Sequence, residues 1–375
     1  MPQDDSPIAI AFLLTGSLGD HIAGARFVRD LSKHAGPFVF DVYSSRPAAA
    51  RWLFSTFSNC RACYDEATSW DQNRQGYPLG LWVMQFVSID RDCYDPARVR
   101  AANSVLAEVA ETIDKAEGQY ELFIANTPRT DSLLARRAHF MGVGRNRISH
   151  NIAGLSYGGD EIDVGSLNGV LERFELDGKR YITVHNGFDV DYSFLAKDVL
   201  VPEPDRSTRA YQGFDKVLST LKGEYRDIAV VQVGGQSSLP IPRADVNLIN
   251  RTSLGETAEL LRGAMLQLDS EGGLVHLASA VGTRCAVVFG PTPVAYFAYK
   301  DNINLPPPVC GDCWWATEDW QTNCPKGMLR PQCLSERTPD SIVEAVRPAL
   351  SAALAVGVGK RGLRERLGIR LGATR

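Results

Sequence analysis

The chain has 375 residues, of which 44% are hydrophobic and 22% charged, with a formal net charge of −4. That length suits two domains of ordinary size, and the mildly acidic balance argues against a general nucleic-acid binder. No apolar run approaches the roughly 18–20 residues of a membrane span, and the start MPQDDSP lacks the basic region of a secretory signal. The expected compartment is therefore the cytoplasm.

Residues 7–14 (PIAIAFLL) read as a buried strand that runs into Thr15-Gly16-Ser17-Leu18-Gly19-Asp20-His21 and then into a segment of helical period. Strand, glycine turn and helix form the opening unit of a doubly wound α/β domain. Gly16 and Gly19 lie three apart, so the dinucleotide fingerprint G-x-G-x-x-G is not met. Residues 38–43 read as a second strand, 47–57 as a helix and 79–89 as a third apolar run. Further on, 96–116 read as one long amphipathic helix, 121–125 as a strand and 131–141 as a helix. This alternation predicts a parallel sheet covered on both faces. The polar stretch 67–76 reads as a loop, long for such a unit.

From 142 to 177 the chain turns glycine-rich and loses its period, which places the domain junction there. A first domain over 1–165 and a second over 166–338 are expected, followed by a helix and basic tail over 339–375. The tail reads as a solvated end, with a weak tether to an anionic membrane surface as a second reading. In the second domain, 181–184 reads as a strand ending in His185-Asn186-Gly187, and 188–206 is irregular. A helix is expected over 211–221, and a strand over 228–233 ends in Gly234-Gly235. A helix over 254–264 is opened by Ser253, with Glu256 at capping-box spacing.

The stretch 266–293, LQLDSEGGLVHLASAVGTRCAVVFGPTP, carries the strongest signal. It reads as strand, glycine turn, helix, buried strand and glycine-proline turn. A Gly272-Gly273 turn feeding a helix exposes backbone N–H groups and a positive dipole end, where an anion can sit. Glu271 and His276 flank it. The turns at Gly16, Gly187, Gly234 and Gly272 all follow strands, and ligands in such sheets bind beyond the carboxyl ends of strands. Two Rossmann-like domains facing a cleft are expected.

Eight cysteines in a reducing compartment are not expected to form a disulfide framework. Cys310-x-x-Cys313, followed by Cys324 and Cys333, reads as a four-thiolate metal site, closed and structural, for zinc or iron. The region lacks periodicity, so a metal would replace a core it does not otherwise have. Trp314, Trp315 and Trp320 are expected to pack around it. Cys60-x-x-Cys63 is half a metal site and stays unassigned.

The block Glu271-Gly272-Gly273-Leu274-Val275-His276-Leu277-Ala278, with Phe289-Gly290-Pro291-Thr292 after the next strand, resembles the donor-site motif of glycosyltransferase family nine, the bacterial heptosyltransferases. Thr15-Gly16-Ser17-Leu18-Gly19-Asp20 is similar to that family's N-terminal G-x-x-G-D, and His185-Asn186-Gly187 to its strand-end His-x-Gly. Cys333-Leu334 and the Thr-Pro-led helix at Thr338 resemble the family's C-terminal end. A cysteine-rich segment of this kind also occurs in the autotransporter heptosyltransferase branch, where it holds iron.

The resemblance implies a GT-B architecture, with the acceptor bound mainly by the first domain and a nucleotide-diphosphate sugar, typically an ADP-heptose, by the second. It implies inversion at the anomeric centre and no catalytic metal. Such a transfer needs a base for the acceptor hydroxyl, stabilisation of the leaving diphosphate, and alignment of the reactants. Asp20 matches the family's catalytic aspartate, although an acid there can equally cap the helix. Arg209, in Ser207-Thr208-Arg209-Ala210-Tyr211, stands where the family has a lysine and is the candidate diphosphate clamp. Gly16, Ser17, Gly19, His185, Asn186, Gly187, Gly234, Glu271, Gly272, Gly273 and His276 complete the expected binding set, with Asp269 as rival to Glu271. The acceptor (glycan, lipid or protein) and the oligomeric state stay open, a homo-oligomer included. A nucleotide-sugar epimerase of the same fold and a non-catalytic relative are the rival readings.

Overall fold

The structure is a computed structural model that describes residues 7–186, 207–235 and 238–355. By internal contacts the chain divides into two units. The first runs to Gly165 and takes in Ala295–Phe297 and Trp315–Glu318; the second holds Ser166–Val294, Ala298–Trp314 and the chain from Asp319 onward.

The first unit is built on strands β1 (Ala9–Leu14), β2 (Val39–Ser44), β3 (Cys60–Asp65), β4 (Gly80–Val83) and β5 (Val87–Ile89), in the order β3-β2-β1-β4-β5. All are parallel except β5, which returns antiparallel on β4. Helical cover of both faces leaves Ile10, Phe12, Leu14, Phe40 and Val42 with no exposure, which explains the near-continuous apolar runs of β1 and β2. Phe12 and Phe54 both meet Phe40 edge-on, at 5.2 and 5.7 Å between ring centroids.

Four readings of this unit are corrected. Residues 79–89 are two strands, because the chain reverses between Met84 and Phe86, whose backbones pair at 3.0 Å. Residues 67–76 are not a loop but most of a helix, Glu66–Asn73, with a 3-10 turn after it. One aromatic holds that helix down: Trp70 is buried, edge-on to Tyr43, and donates its indole N–H to Asp90 at 3.2 Å. Residues 96–116 are two helices, Pro96–Ala102 and Ser104–Glu117. Asn103 is extended between them, caps Leu106 N at 2.9 Å and donates to Ala35 O at 2.6 Å. Residues 121–125 lie in a helix, Glu121–Asn126, with Phe123 inward and Leu122 outward. A short apolar run does not by itself distinguish strand from helix.

The second unit carries β6 (Tyr181–Val184), β7 (Ala229–Gln232), β8 (Val246–Asn247), β9 (Gln267–Ser270), β10 (Cys285–Val288) and β11 (Ile303–Leu305). Their order is β11-β10-β9-β6-β7-β8, all parallel. Ile182, Val184, Leu218, Val230, Leu268, Ile342 and Val346 lie in its core. The helix Leu254–Gly263 opens on the expected capping box: Ser253 Oγ accepts from Glu256 N at 3.2 Å, and Glu256 accepts from Ser253 N at 2.8 Å. Both units are thus α/β and Rossmann-like.

Each sheet has one point where the chain changes direction of travel across it. In the first it falls between β1 and β4, in the second between β6 and β9. Crevices at the carboxyl ends of such strands are where open α/β sheets bind ligands. The expected site residues follow these strands: Gly16–Asp20 after β1, His185 and Asn186 after β6, Glu271–Gly273 after β9.

Candidate functional site

In the first unit, Gly16 has φ +94°, and a Cβ there would meet Asp20 Oδ2 at 2.5 Å. Only glycine gives the turn both that backbone conformation and that closeness. Asp20 lies in the first turn of the helix Leu18–Ala35, whose N-cap is Ser17. Asp20 Oδ2 accepts from Ser17 N at 2.8 Å and from Ser17 Oγ at 2.9 Å. Oδ1 accepts from Gln85 Nε2 at 2.8 Å and from Arg145 at 2.6 Å. Gly19 and His21 are buried behind it; His21 bonds Ser17 O at 2.9 Å and Ser44 Oγ at 2.7 Å, and burial holds its pKa down.

Burial alone would raise the Asp20 pKa. The Arg145 charge, with hydrogen bonds from Arg145 and Ser17, outweighs burial and holds the carboxyl below its usual range. Asp20 is therefore ionised at neutral pH, and four donors occupy its acceptor sites. Helix capping and a charged carboxylate coexist in one residue.

Sequence reasoning missed Arg145, Gln85 and Asp131. Arg145 is only 2% exposed and also donates to Met84 O at 2.7 Å. Gln85 Oε1 accepts from Tyr296 at 3.2 Å. Asp131 is buried and accepts from Thr127 Oγ1 at 2.9 Å. Burial, opposed by that bond and reinforced by the Asp20 charge, pushes its pKa up to about 7. No local pattern marks these three: Arg145 sits in the glycine-rich stretch, Gln85 inside an apolar run, and Asp131 at an ordinary helix start.

In the second unit, His185 bonds Asp269 at 2.9 Å and Ser238 Oγ at 3.2 Å. Asp269 also accepts from Gln267 Nε2 at 3.0 Å and is fully buried, so its role is to hold His185. Burial raises its pKa, against the pull of His185. Gly234 has φ +155°, and a Cβ there would strike Ser238 Oγ at 2.3 Å. Asn186 Nδ2 donates to Leu239 O at 2.9 Å. Gly187, residues 188–206 and the tail beyond Ala355 lie outside the described residues.

Glu271 stands just past β9, before the helix Gly273–Ala280. His276 Nε2 lies 3.7 Å from one of its oxygens, and Arg209 3.4 Å from the other. Burial would raise its pKa, but His276, Arg209 and Thr292 together hold it down. His276 is buried, and its Nδ1 bonds Tyr299 at 2.6 Å, so the ring spans Glu271 and Tyr299. Arg209 donates to Glu271 O at 2.7 Å and lies 5.8 Å over the Trp320 ring. Its Nε is buried with no hydrogen-bond partner among the described residues. A Cβ at Gly272 would meet this guanidinium at 3.4 Å, an ordinary contact distance.

The cysteine segment packs beside this turn. Trp314 N donates to Pro291 O at 2.9 Å, and Thr208 Oγ1 donates to Trp320 O at 2.6 Å. Trp314 and Trp320 are buried. Among the described residues no three or more of His, Cys, Asp and Glu are placed to hold a metal ion. Cys333 lies in the apolar core, and burial together with Cys310, Cys313 and Cys324 pushes its pKa up to about 12. Burial and the neighbouring Cys324 likewise raise Cys313. The donor chemistry is gathered in one region, without ligand geometry.

Two Rossmann-like α/β units of this kind match the GT-B fold. Residues 235–306, which include the Glu271–His276 turn, match the family model described as glycosyltransferase family 9 (heptosyltransferase). The chain is similar to TibC, a bacterial iron-containing dodecameric glycosyltransferase from enterotoxigenic E. coli H10407. That likeness has a TM-score of 0.57 at 14% identity and covers 94% of this chain and 81% of TibC. TibC in complex with ADP-D-beta-D-heptose gives a TM-score of 0.56 at 14% identity, covering 94% and 78%. The family 9 glycosyl transferase of Veillonella parvula DSM 2008 gives 0.51 at 11% identity, covering 93% and 99%. No curated protein matches the chain. The family match is confined to that segment, and the similar structures share the fold of the whole chain. Among the described residues no helix is long and apolar enough to cross a membrane.

Proposed function

We propose that the protein transfers a sugar, with inversion, from an ADP-heptose-type donor to an acceptor hydroxyl, with Asp20 as general base. The observation that carries the donor side is Arg209. A buried guanidinium nitrogen without a partner among the described residues, beside two glycine N–H groups at a helix N-terminus, suits an anionic oxygen of a diphosphate. Arg209 and the Gly272-Gly273 N–H groups take the leaving diphosphate, and Glu271 accepts from sugar or ribose hydroxyls. Asp269, occupied by His185 and Gln267, holds the strand-end histidine instead. TibC, of similar fold, binds ADP-D-beta-D-heptose.

On the acceptor side Asp20 is charged, as a base must be, but Arg145 makes it a weak one. An acceptor hydroxyl displaces the Ser17 hydroxyl, which rotates most easily of the four donors. Arg145 and Gln85 keep the carboxylate aimed. A base so placed contributes about 10²–10⁴-fold.

Cys310, Cys313, Cys324 and Cys333 are proposed to close on a structural zinc or iron ion, a reading supported by their spacing and by the iron of TibC. Less than about 0.2 metal ions per purified chain would remove it.

A thermal-shift screen across nucleotide sugars tests the donor. A ligand that binds only the folded state at about 100 times its Kd adds about 2.7 kcal/mol and raises the midpoint. No shift with ADP-heptose or any other nucleotide sugar would overturn the donor reading. A retained anomer in the product would overturn inversion, and sugar epimerised without acceptor would point to an epimerase.

A further inference from the structure

The Cys60-x-x-Cys63 pair belongs to none of the chemistry above. It lies on β3, an edge strand of the first sheet, and both side chains are half-buried. In a regular strand, residues three apart point to opposite faces. Here the pairing runs Phe40↔Cys60 and then Asp41↔Ala62, so Arg61 is an extra residue in the strand. This β-bulge resets the alternation. Cys60 and Cys63 then share the face of their partners Phe40 and Val42, and their sulfurs stand 4.0 Å apart.

The bulge is anchored. The Arg61 guanidinium pairs with the buried carboxylate of Asp41, which also accepts from Tyr77 at 2.6 Å. The two thiols are unequal. A hydrogen bond from Cys63 holds the Cys60 pKa below its ordinary value, and the same bond, with burial, pushes Cys63 up. The pair is not a metal site among the described residues, because no third ligand joins it.

We propose that Cys60 and Cys63 form a reversible dithiol–disulfide site that exchanges with small-molecule disulfides, Cys60 attacking first and Cys63 resolving. The Cys60 thiolate attacks one sulfur of an external disulfide, forming a mixed disulfide and releasing one thiolate. Cys63, losing its proton to solvent, then attacks the Cys60 sulfur and releases the second. The protein dithiol is oxidised by two electrons and the external disulfide is reduced to two thiols.

The test uses the full chain equilibrated with mixtures of oxidised and reduced glutathione, then acid-quenched, alkylated and mapped by peptide mass. The expected product is a Cys60–Cys63 disulfide whose fraction follows the glutathione ratio and reverses with excess reduced glutathione. In Cys63→Ser the mixed disulfide accumulates on Cys60. In Cys60→Ser no internal disulfide forms and any glutathione stays on Cys63. Both side chains are half-buried, so neither serine removes core packing. Both thiols carrying separate glutathione or alkyl groups, with no bond between them, would overturn the site. In the parent protein a limiting alkylating agent labels Cys60 before Cys63, and equal labelling of the two would overturn the order of attack.

Discussion

The two glycine turns at the switch points share a plan and differ in how their charges are met. Each follows a parallel strand, opens a helix, and sets a carboxylate (Asp20 partly buried, Glu271 buried) beside an arginine and a histidine. At Gly16–Asp20 the account is closed. Asp20 has four donors, and Arg145 reaches it at 2.6 Å. At Glu271–His276 it is open. Arg209 stands 3.4 Å from the carboxylate, and its buried Nε has no partner among the described residues. A saturated carboxylate is held in place and charged, which suits a group that must act from a fixed position. An arginine with an unmet donor suits an anion arriving from outside.

The strongest way to break this contrast is Asp20→Asn. Turnover falls about 10²–10⁴-fold in a product assay, while donor-induced thermal shift survives. Turnover within threefold of the parent would end the role of Asp20. Next is Arg209→Ala. Losing charge-assisted hydrogen bonds worth about 1.5–3 kcal/mol weakens the donor about 10–100-fold by titration, with Arg209→Lys falling between. Unchanged donor affinity would make Arg209 an ordinary side chain stacked near Trp320.

Asp131 sharpens the first turn through pH. Its folded pKa, about 7, lies above the unfolded value, so the native state binds more protons between about pH 4 and 7. Stability from this group falls as pH rises through that window, the reverse of Asp20, whose contribution is lost as pH falls. Asp131→Asn therefore stabilises the protein at pH 8, on the order of 2–4 kcal/mol, and has little effect near pH 4. A variant equally stable at both would show that Asp131 is not held neutral. The smallest effect is Ser253→Ala, away from both turns. Loss of its cap costs about 1 kcal/mol in denaturant melts and leaves both activities alone.

Much of the fold was legible because it is written in local period. The runs of β1, β2 and β10 read as strands and are strands, and the Ser253–Glu256 box announced its helix. The 67–76 segment failed because a single buried tryptophan, not a pattern, holds its helix. The 121–125 run failed because five apolar-rich residues satisfy either period. The bulge at Arg61, which brings two cysteines to one face, has no sequence mark beyond the spacing itself.

The chain by itself determined two doubly wound units, the glycine turns at strand ends, and which acids and histidines stand in them. Those properties follow from contiguous residues and the two backbone periods. Only the tertiary structure decided which charges meet. Arg145 reaches Asp20 across 125 positions, and Arg209 reaches Glu271 across 62. Only the folded chain assigns Asp269 to His185, leaving Glu271 beside Arg209. Electrostatic partners are chosen by distance in space and by the low dielectric of burial, and neither is a property of neighbouring letters in the chain.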